Sequence, residues 1–396
     1  MLLKSDPAHC FMPYPAVEVP AAAVGPLADL SFAVKDLFDV AGYPTSGGNP
    51  HVLARSGIKT QTAPTVQKLL DAGARFVGKT ITDELAFSMT GSNAHFGMPR
   101  NGGAPDRIPG GSSSGSSSAV SNGLCDFALG TDTGGSVRAP ANHNGLFGLR
   151  PTHGRISLQG CLDLAPSLDS CGYFTRDAAT FERVGSVLLG DDSCPLASDC
   201  QLLLAGDAFG LLSPEVAEVF APVLNRLKSL AGVLKPVDVA NSSFDELYWS
   251  FRYVQGFEAW RTDGELIETF NLQLGPGVKE RFAWSKEVTD AQYLEFSEVR
   301  EKFAKKLNAL LDQRHILVLP TMPDIAPRVD DNLDSQENYR NFSIKLLCIA
   351  GLARLPQVSV PVLTRLGAPL GLSFIGPAGS DLTLVRLAAK WAGQLV

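Results

Sequence analysis

The feature that most constrains this chain is the way short apolar runs alternate with segments of helical period. Strand-like runs are read at Leu30–Val34, Arg75–Val77, Ile316–Leu319, Gln357–Val362 and Leu370–Ile375. Helix-period segments lie between and around them, at Ala63–Ala72, Thr82–Met89, Pro214–Leu230, Phe244–Trp260, Asp290–Leu311 and Leu382–Gln394. Strands separated by helices bury both faces of their sheet, so the pattern predicts an α/β fold with one large mixed β-sheet covered by helices on both faces. Thr62 is the expected N-cap of the first of these helices, Pro64 opens it and Gly73 stops it. Asp83 and Glu84 suit the positive N-terminal end of the next.

No internal repeat or shift of composition divides the chain. The expected organisation is therefore a single domain over residues 1–396, with an irregular Pro/Ala-rich lead-in over about residues 1–28 and the polar stretch Asp191–Cys200 at the surface. There are 34 Lys+Arg against 41 Asp+Glu, a formal net charge of -7. This excess of acid argues against nucleic acid or an anionic membrane as partner. The apolar runs His315–Leu319 and Leu346–Leu352 have the length of a core strand or a buried helix and fall well short of a membrane span. The N-terminal MLLKSDPAHC holds no apolar signal core, and the seven scattered cysteines show neither CxxC spacing nor a disulfide framework. These features lead to the expectation of a cytoplasmic protein with no metal and no cofactor.

Three Gly/Ser features point to three different chemistries. Gly73–Thr80 matches GxxxxGK[ST] literally, but a phosphate-binding loop follows a strand and opens a helix, whereas here a helix precedes Gly73 and the interior is strand-like. Gly111–Gly115 matches GxSxG with Ser113 at its centre. That elbow needs an acid and then a histidine downstream. His143 and His153 follow too closely, and His315 begins a strand. The third feature is larger: Gly110-Gly-Ser-Ser-Ser-Gly115, then Gly130-Thr-Asp-Thr-Gly-Gly-Ser-Val-Arg-Ala-Pro140. Two consecutive glycines let several backbone N–H groups converge on one spot, and the next residue, Ser136, brings a hydroxyl that can attack a carbonyl held there.

These two blocks, with Ala33-Val34-Lys35-Asp36 upstream, resemble the amidase signature family of Ser-Ser-Lys amide hydrolases. Ser112 and Ser136 are 24 residues apart (136 − 112), as that family's triad requires. Val77–Thr80, Phe147–Thr152, Leu319–Thr321 and Gly371–Phe374 extend the resemblance, which is most specific over Leu30–Asp177. It implies Ser136 as nucleophile, Ser112 as a bridging serine after a cis peptide bond, and Lys35 as the base. It also implies an oxyanion hole from the N–H groups of Thr133, Gly134, Gly135 and Ser136. Asp132, Arg138 and Ser113 would support the loop. A lysine can serve as base only if burial pulls its pKa below about 10.4, and a serine can relay a proton because a hydroxyl both donates and accepts.

Ser88–Gly97, Asp106–Pro109 and Ser167–Asp177 resemble the plant-type indole-3-acetamide hydrolases, the auxin-forming branch. One departure is Asn142-His143, where relatives more often carry an aromatic or aliphatic residue followed by cysteine. The resemblance implies a small-molecule amide as substrate and a monomer or homodimer. It leaves open a glutaminase or amidotransferase subunit, a ureido- or carbamate-type hydrolase, and a docking module without catalysis.

Overall fold

The computed structural model describes residues 5–240 and 243–395. The expected lead-in is seen from Ser5, residues 1–4 lying outside the described part. The first elements are β1 (Ser31–Lys35), α1 (Pro50–Ser56), α2 (Pro64–Asp71) and β2 (Arg75–Thr80). The Gly/Ser-rich stretch then forms α3 (Ser114–Ser121), β3 (Phe127–Thr131), α4 (Arg138–Asn144) and β4 (Phe147–Arg150). Next come β5 (Cys171–Thr175), α5 (Ala178–Leu189), β6 (Gln201–Ala205), α6 (Gly206–Phe209), α7 (Pro214–Ala231) and β7 (Leu234–Val237). Three helices follow, α8 (Phe244–Phe270), α9 (Val278–Lys286) and α10 (Asp290–Leu310). The chain ends with β8 (His315–Pro320), α11 (Leu333–Ala353), the hairpin β9 (Gln357–Arg365) and β10 (Ala368–Ile375), and α12 (Asp381–Leu395).

All the strands join one ten-stranded sheet in the order β2-β1-β3-β5-β4-β9-β10-β8-β6-β7. Parallel pairs stand at both ends, β1 with β2 and β3, and β6 with β7 and β8. The middle strands pair antiparallel. Side chains alternate across a strand, and β8 shows the result. Ile316 and Val318 join the core under α2, α5, α7 and α12, while Leu317 and Leu319 join the core under α8, α10 and α11. The expected mixed sheet with helices on both faces is what forms.

Local expectations differ from the structure in four places. Thr82–Met89 is no helix. Only Glu84–Ala86 makes a single 3-10 turn, with Leu85 and Ala86 at φ of 48° and 56°. Asp83 and Glu84 are buried and bonded to distant chain instead of lining a first turn. Gly91 N–H donates to Asp83 Oδ2 at 3.0 Å, and Asn49 Nδ2 and Gly275 N–H donate to Glu84 at 2.6 and 2.7 Å. Ala63, not Thr62, occupies the N-cap of α2, because Thr62 Oγ1 already accepts from Ala41 N–H at 3.1 Å. The expected Phe244–Trp260 helix runs on to Phe270. Helix α9 was not anticipated, and of α11 only Leu346–Leu352 was read, as a core strand or a buried helix. From Leu346 to Ala353 every residue of α11 is buried, so no polar face betrays its period. The polar stretch Asp191–Cys200 does lie outside the strands and helices, and Asp192 accepts from the N–H groups of Leu382 and Thr383 at the start of α12.

Candidate active site

The GKT segment is a strand, β2, and Lys79 is buried inside the protein. Its ammonium lies 2.6 Å from Asp36 Oδ1 and donates to Pro44 O and Thr45 Oγ1 at 2.7 and 2.8 Å. That occupied ammonium leaves nothing to meet a phosphate. The GxSxG alternative fares no better. Ser113 is fully buried, and its hydroxyl donates to Thr131 O at 3.1 Å while accepting Thr131 N–H at 3.2 Å. Ser113 ties the first serine block to β3.

Lys35 ends β1, at the carboxyl edge of the parallel part of the sheet, where open α/β sheets place their ligand sites. Its ammonium is buried and donates to Ser112 Oγ and to Thr131 Oγ1, both at 2.7 Å. Burial lowers the Lys35 pKa to about 8, against the pull of Asp83, Asp169 and Asp132. The Gly111–Ser112 peptide bond is cis. Ser112 O accepts from Asp83 N–H and Thr82 Oγ1, each at 3.0 Å, which fixes the residue on both sides of its hydroxyl. Thr131 as a second acceptor for Lys35 was missed in the sequence, although it sits inside the Gly130–Pro140 block.

The second block wraps around Asp132. Its carboxylate accepts the N–H groups of Gly135, Val137 and Arg138 at 3.0, 3.1 and 3.3 Å. Arg138 meets it through Nε at 3.0 Å and Nη2 at 2.7 Å, and Arg150 through Nη1 at 2.9 Å. Burial pushes the Asp132 carboxyl up, but the two guanidiniums and the Val137 N–H outweigh it and hold it well below the usual carboxylate range. Asp132 and Arg138 form a buried ion pair, and Arg150 of the Phe147–Thr152 segment completes it. Asp169, from the Ser167–Asp177 segment, accepts the Thr133 hydroxyl at 2.5 Å.

Both glycines of the block are demanded by close packing. A Cβ on Gly134 would lie 2.4 Å from Phe251 of α8, and one on Gly135, at φ +113°, would lie 2.4 Å from Leu347 of α11. Gly135 N–H, expected to point at an oxyanion, instead donates to Asp132. The N–H groups of Thr133, Gly134 and Ser136 make no hydrogen bond among the described residues. Ser113 N–H donates to Ser136 O at 3.3 Å, so the two serine blocks lie side by side.

Ser136 lines a narrow pocket of about 10 Å³, room for about one water. Apolar walls come from Phe87, Met89, Phe251 and Ile344, and polar ones from Ser88, Gln255 and Arg340. A wider cleft shares Ser88 and is bordered by Arg252 and Arg281. Arg281 donates to Phe87 O at 2.6 Å, and it shares the Glu337 carboxylate with Arg340, at 3.2 and 3.1 Å. His143 does not reach this cavity. It is buried behind it, its Nε2 3.1 Å from the Tyr339 hydroxyl of α11. No cluster of metal-ligating side chains exists among the described residues, and none of their helices is long and apolar enough to cross a membrane.

The family model described as Amidase matches residues 15–385. "Amidase 1" of Arabidopsis thaliana is 38% identical over 395 residues, spanning 92% of this chain and 93% of its own length. "Outer envelope protein 64, chloroplastic" of the same plant is 34% identical and is covered over 67% of its length. Among solved structures, one described as the crystal structure of amidase superposes with a TM-score of 0.83 at 31% identity, covering 93% of this chain and 85% of that one.

Proposed function

This chain belongs to the amidase family, and we propose that it hydrolyses a small primary amide, R–CO–NH2, to the carboxylic acid and ammonia through an acyl-enzyme on Ser136. R is an arylalkyl group of the indolyl- or phenyl-acetyl type. The observation that carries the reading is the buried Lys35 Nζ held 2.7 Å from Ser112 Oγ, beside a second serine that floors a cavity.

Neutral Lys35 takes the Ser112 proton as Ser112 takes that of Ser136, and Ser136 Oγ attacks the carbonyl carbon. The carbonyl oxygen, now negative, is met by the free N–H groups of Thr133, Gly134 and Ser136. The proton stored on Lys35 returns through Ser112 to the nitrogen, the C–N bond breaks and ammonia leaves. Water then repeats the cycle on the ester and releases the acid. Phe87, Met89, Phe251 and Ile344 favour an apolar arm. A carboxylate on that arm would lose its hydration, at a cost of several kcal/mol unless paired. The proposed setting is the cytoplasm, without cofactor or partner subunit, as a monomer or homodimer.

Ammonia release by the isolated protein, measured over a panel of primary amides, tests this. Phenylacetamide or indole-3-acetamide should exceed malonamate and allophanate in kcat/KM. The reverse order would overturn the arylalkyl part, favouring a ureido- or carbamate-type hydrolase. Release from glutamine only in the presence of further subunits would point to an amidotransferase subunit. No release from any amide would leave the docking module.

A further inference from the structure

The pocket at Ser136 has room for about one water, so a phenyl or indolyl ring cannot lie in it. The wider cleft beside it measures about 780 Å³, within the range of about 300–1,000 Å³ usual for small-molecule sites. Three segments run from one to the other. Ser88 lines both. Helix α8 gives Phe251 and Gln255 to the pocket and Arg252 to the cleft. Helix α11 gives Leu333, Glu337 and Asn341 to the cleft and Arg340 and Ile344 to the pocket. Side-chain bonds join the two sets of walls as well. Arg281, a cleft residue, donates to the carbonyl of Phe87, a pocket residue, at 2.6 Å, and Glu337 accepts from Arg340 at 3.1 Å. A molecule whose amide sits at Ser136 has this cleft beside it for the rest of its bulk.

Met98, Val278, Trp284, Val329 and Leu333 give the cleft its apolar surface. Leu333 is 72% exposed and Val329 46%, so two large apolar side chains stand in water at a concave site, where a bound apolar group would cover them. Trp284 of α9 is held in place. Gly256 of α8 leaves room for it, since a Cβ there would lie 2.5 Å from the indole, and the Tyr253 ring packs beside it at 5.4 Å between centroids. The Arg252 guanidinium lies 4.9 Å from the centre of the Trp284 ring and has no carboxylate partner among the described residues. We propose that this cleft receives the ring of the acyl arm, with Trp284 as the side chain that selects it and Leu333 as an apolar cover at its rim. The inference rests on the amidase reading and names the residues that choose its substrate. The apolar walls at Ser136 then meet only the methylene next to the carbonyl. Aromatic rings gain from each other beyond the area they bury, and a planar guanidinium stacks on aromatic faces. A flat ring is thus preferred to a saturated one of the same size.

The test is kcat/KM for acetamide, cyclohexylacetamide, phenylacetamide and indole-3-acetamide on the unmodified protein, Trp284→Ala, Leu333→Ser and Leu366→Ser. Leu366 is 78% exposed between β9 and β10 and lines neither pocket nor cleft, so it serves as the control. On the unmodified protein the two arylacetamides should exceed acetamide by on the order of 10- to 100-fold, with cyclohexylacetamide between them. That ratio should fall by on the order of 10-fold in Trp284→Ala, by a smaller factor in Leu333→Ser, and not at all in Leu366→Ser. A ratio of two substrates on one sample is independent of how much variant folds, and Leu333 is too exposed for its loss to unfold the chain. The inference is overturned if the ratio survives both cleft substitutions, if it falls as far in Leu366→Ser, or if cyclohexylacetamide is the best substrate. Acetamide serving as well as the arylacetamides on the unmodified protein would instead remove the arylalkyl part of the proposed function, and this inference with it. Ammonia from no amide at all would remove the amidase reading itself.

Discussion

Two regions build the candidate site, and they do so by different means. In Leu30–Asp177 the candidate reacting groups are set by backbone and by buried polar bonds. Lys35 ends a strand, Ser112 is pinned through its own carbonyl, and Asp132 gathers three N–H groups and two guanidiniums around Ser136. In α8 and α11 the far wall of the pocket is made of side chains on helix faces, the near wall being Phe87, Ser88 and Met89 of the first region. Two of its buried polar groups are unmatched, and two arginines share one carboxylate. In the first region Lys35, Ser112 and Asp132 are each held by several such bonds, so a change there moves the candidate reacting atoms. The second can change a side chain without moving the reacting atoms. On the function proposed above, the first region would set reaction type and the second the choice of acyl arm.

The largest expected effect lies in the first region. A serine-reactive fluorophosphonate should label the peptide carrying Ser136, and Ser136→Ala should lose at least about 10⁴-fold in kcat, in line with other enzymes stripped of their nucleophile. The loss should be the same for every acyl arm, whereas substitutions on α8 or α11 should reorder substrates. Label on Ser113 with none on Ser136 would return the elbow reading and break the comparison at its root.

Lys35 gives the next effect. Lys35→Ala should lower amide hydrolysis by about 10²–10⁴-fold, the range of general acid–base catalysis. Matched p-nitrophenyl esters should lose less, because their leaving group departs without a proton. The active form is the neutral amine. With the Lys35 pKa brought down to about 8 by burial, kcat/KM should therefore rise with pH through about 8, and this limb should vanish in Lys35→Ala. Equal losses for amide and ester would remove Lys35 from the leaving-group step. No loss in either would remove it from the site.

The same division marks what was legible in the sequence. The mixed sheet could be read because strand and helix periods differ, and the reacting serines because their glycines and spacing lie in contiguous blocks. Gly135 as an oxyanion donor misled, since a motif shows which residues are small but not which N–H the neighbouring Asp132 will capture. The wall of the cavity was illegible for a related reason. Gln255 and Arg340 are 85 residues apart (340 − 255) on helices of which one was placed too short and the other read only over Leu346–Leu352, as a core strand or a buried helix. The segment after Thr82 was read as a helix from its two acids, but long-range bonds to Gly91, Asn49 and Gly275 hold those acids elsewhere. Local propensity carries no record of such partners.

His143 stands at the seam of the two regions and offers the finest test of their independence. It lies in the last turn of α4, directly after the Ser136 block, and packs against Tyr339, the neighbour of Arg340 on α11. The Tyr339 hydroxyl donates to Asp324 O at 2.8 Å, so its oxygen must accept from His143 Nε2–H at 3.1 Å. The other ring nitrogen, Nδ1, is then an unpaired acceptor in a tight space, where a Cβ on Gly110 would lie 2.7 Å away. Burial, with a smaller push from Arg107, drives the His143 pKa from 6.5 down to about 3. The unfolded chain therefore takes up a proton below about 6.5 that the folded one refuses until about 3, and stability falls as pH falls across that window. The slope from this residue approaches about 1.4 kcal/mol per pH unit. Denaturant unfolding of the unmodified protein and His143→Leu between pH 7 and 4 measures it. The gap in stability between them should be constant above about pH 7 and should shift in favour of the variant as the solution becomes more acid. The order of substrates should stay the same in both, because burial holds the imidazole neutral throughout the working range and His143 does not line the pocket. Parallel stability curves would mean that the ring is paired or solvated, and a reordered substrate panel would mean that the seam transmits the first region into the second.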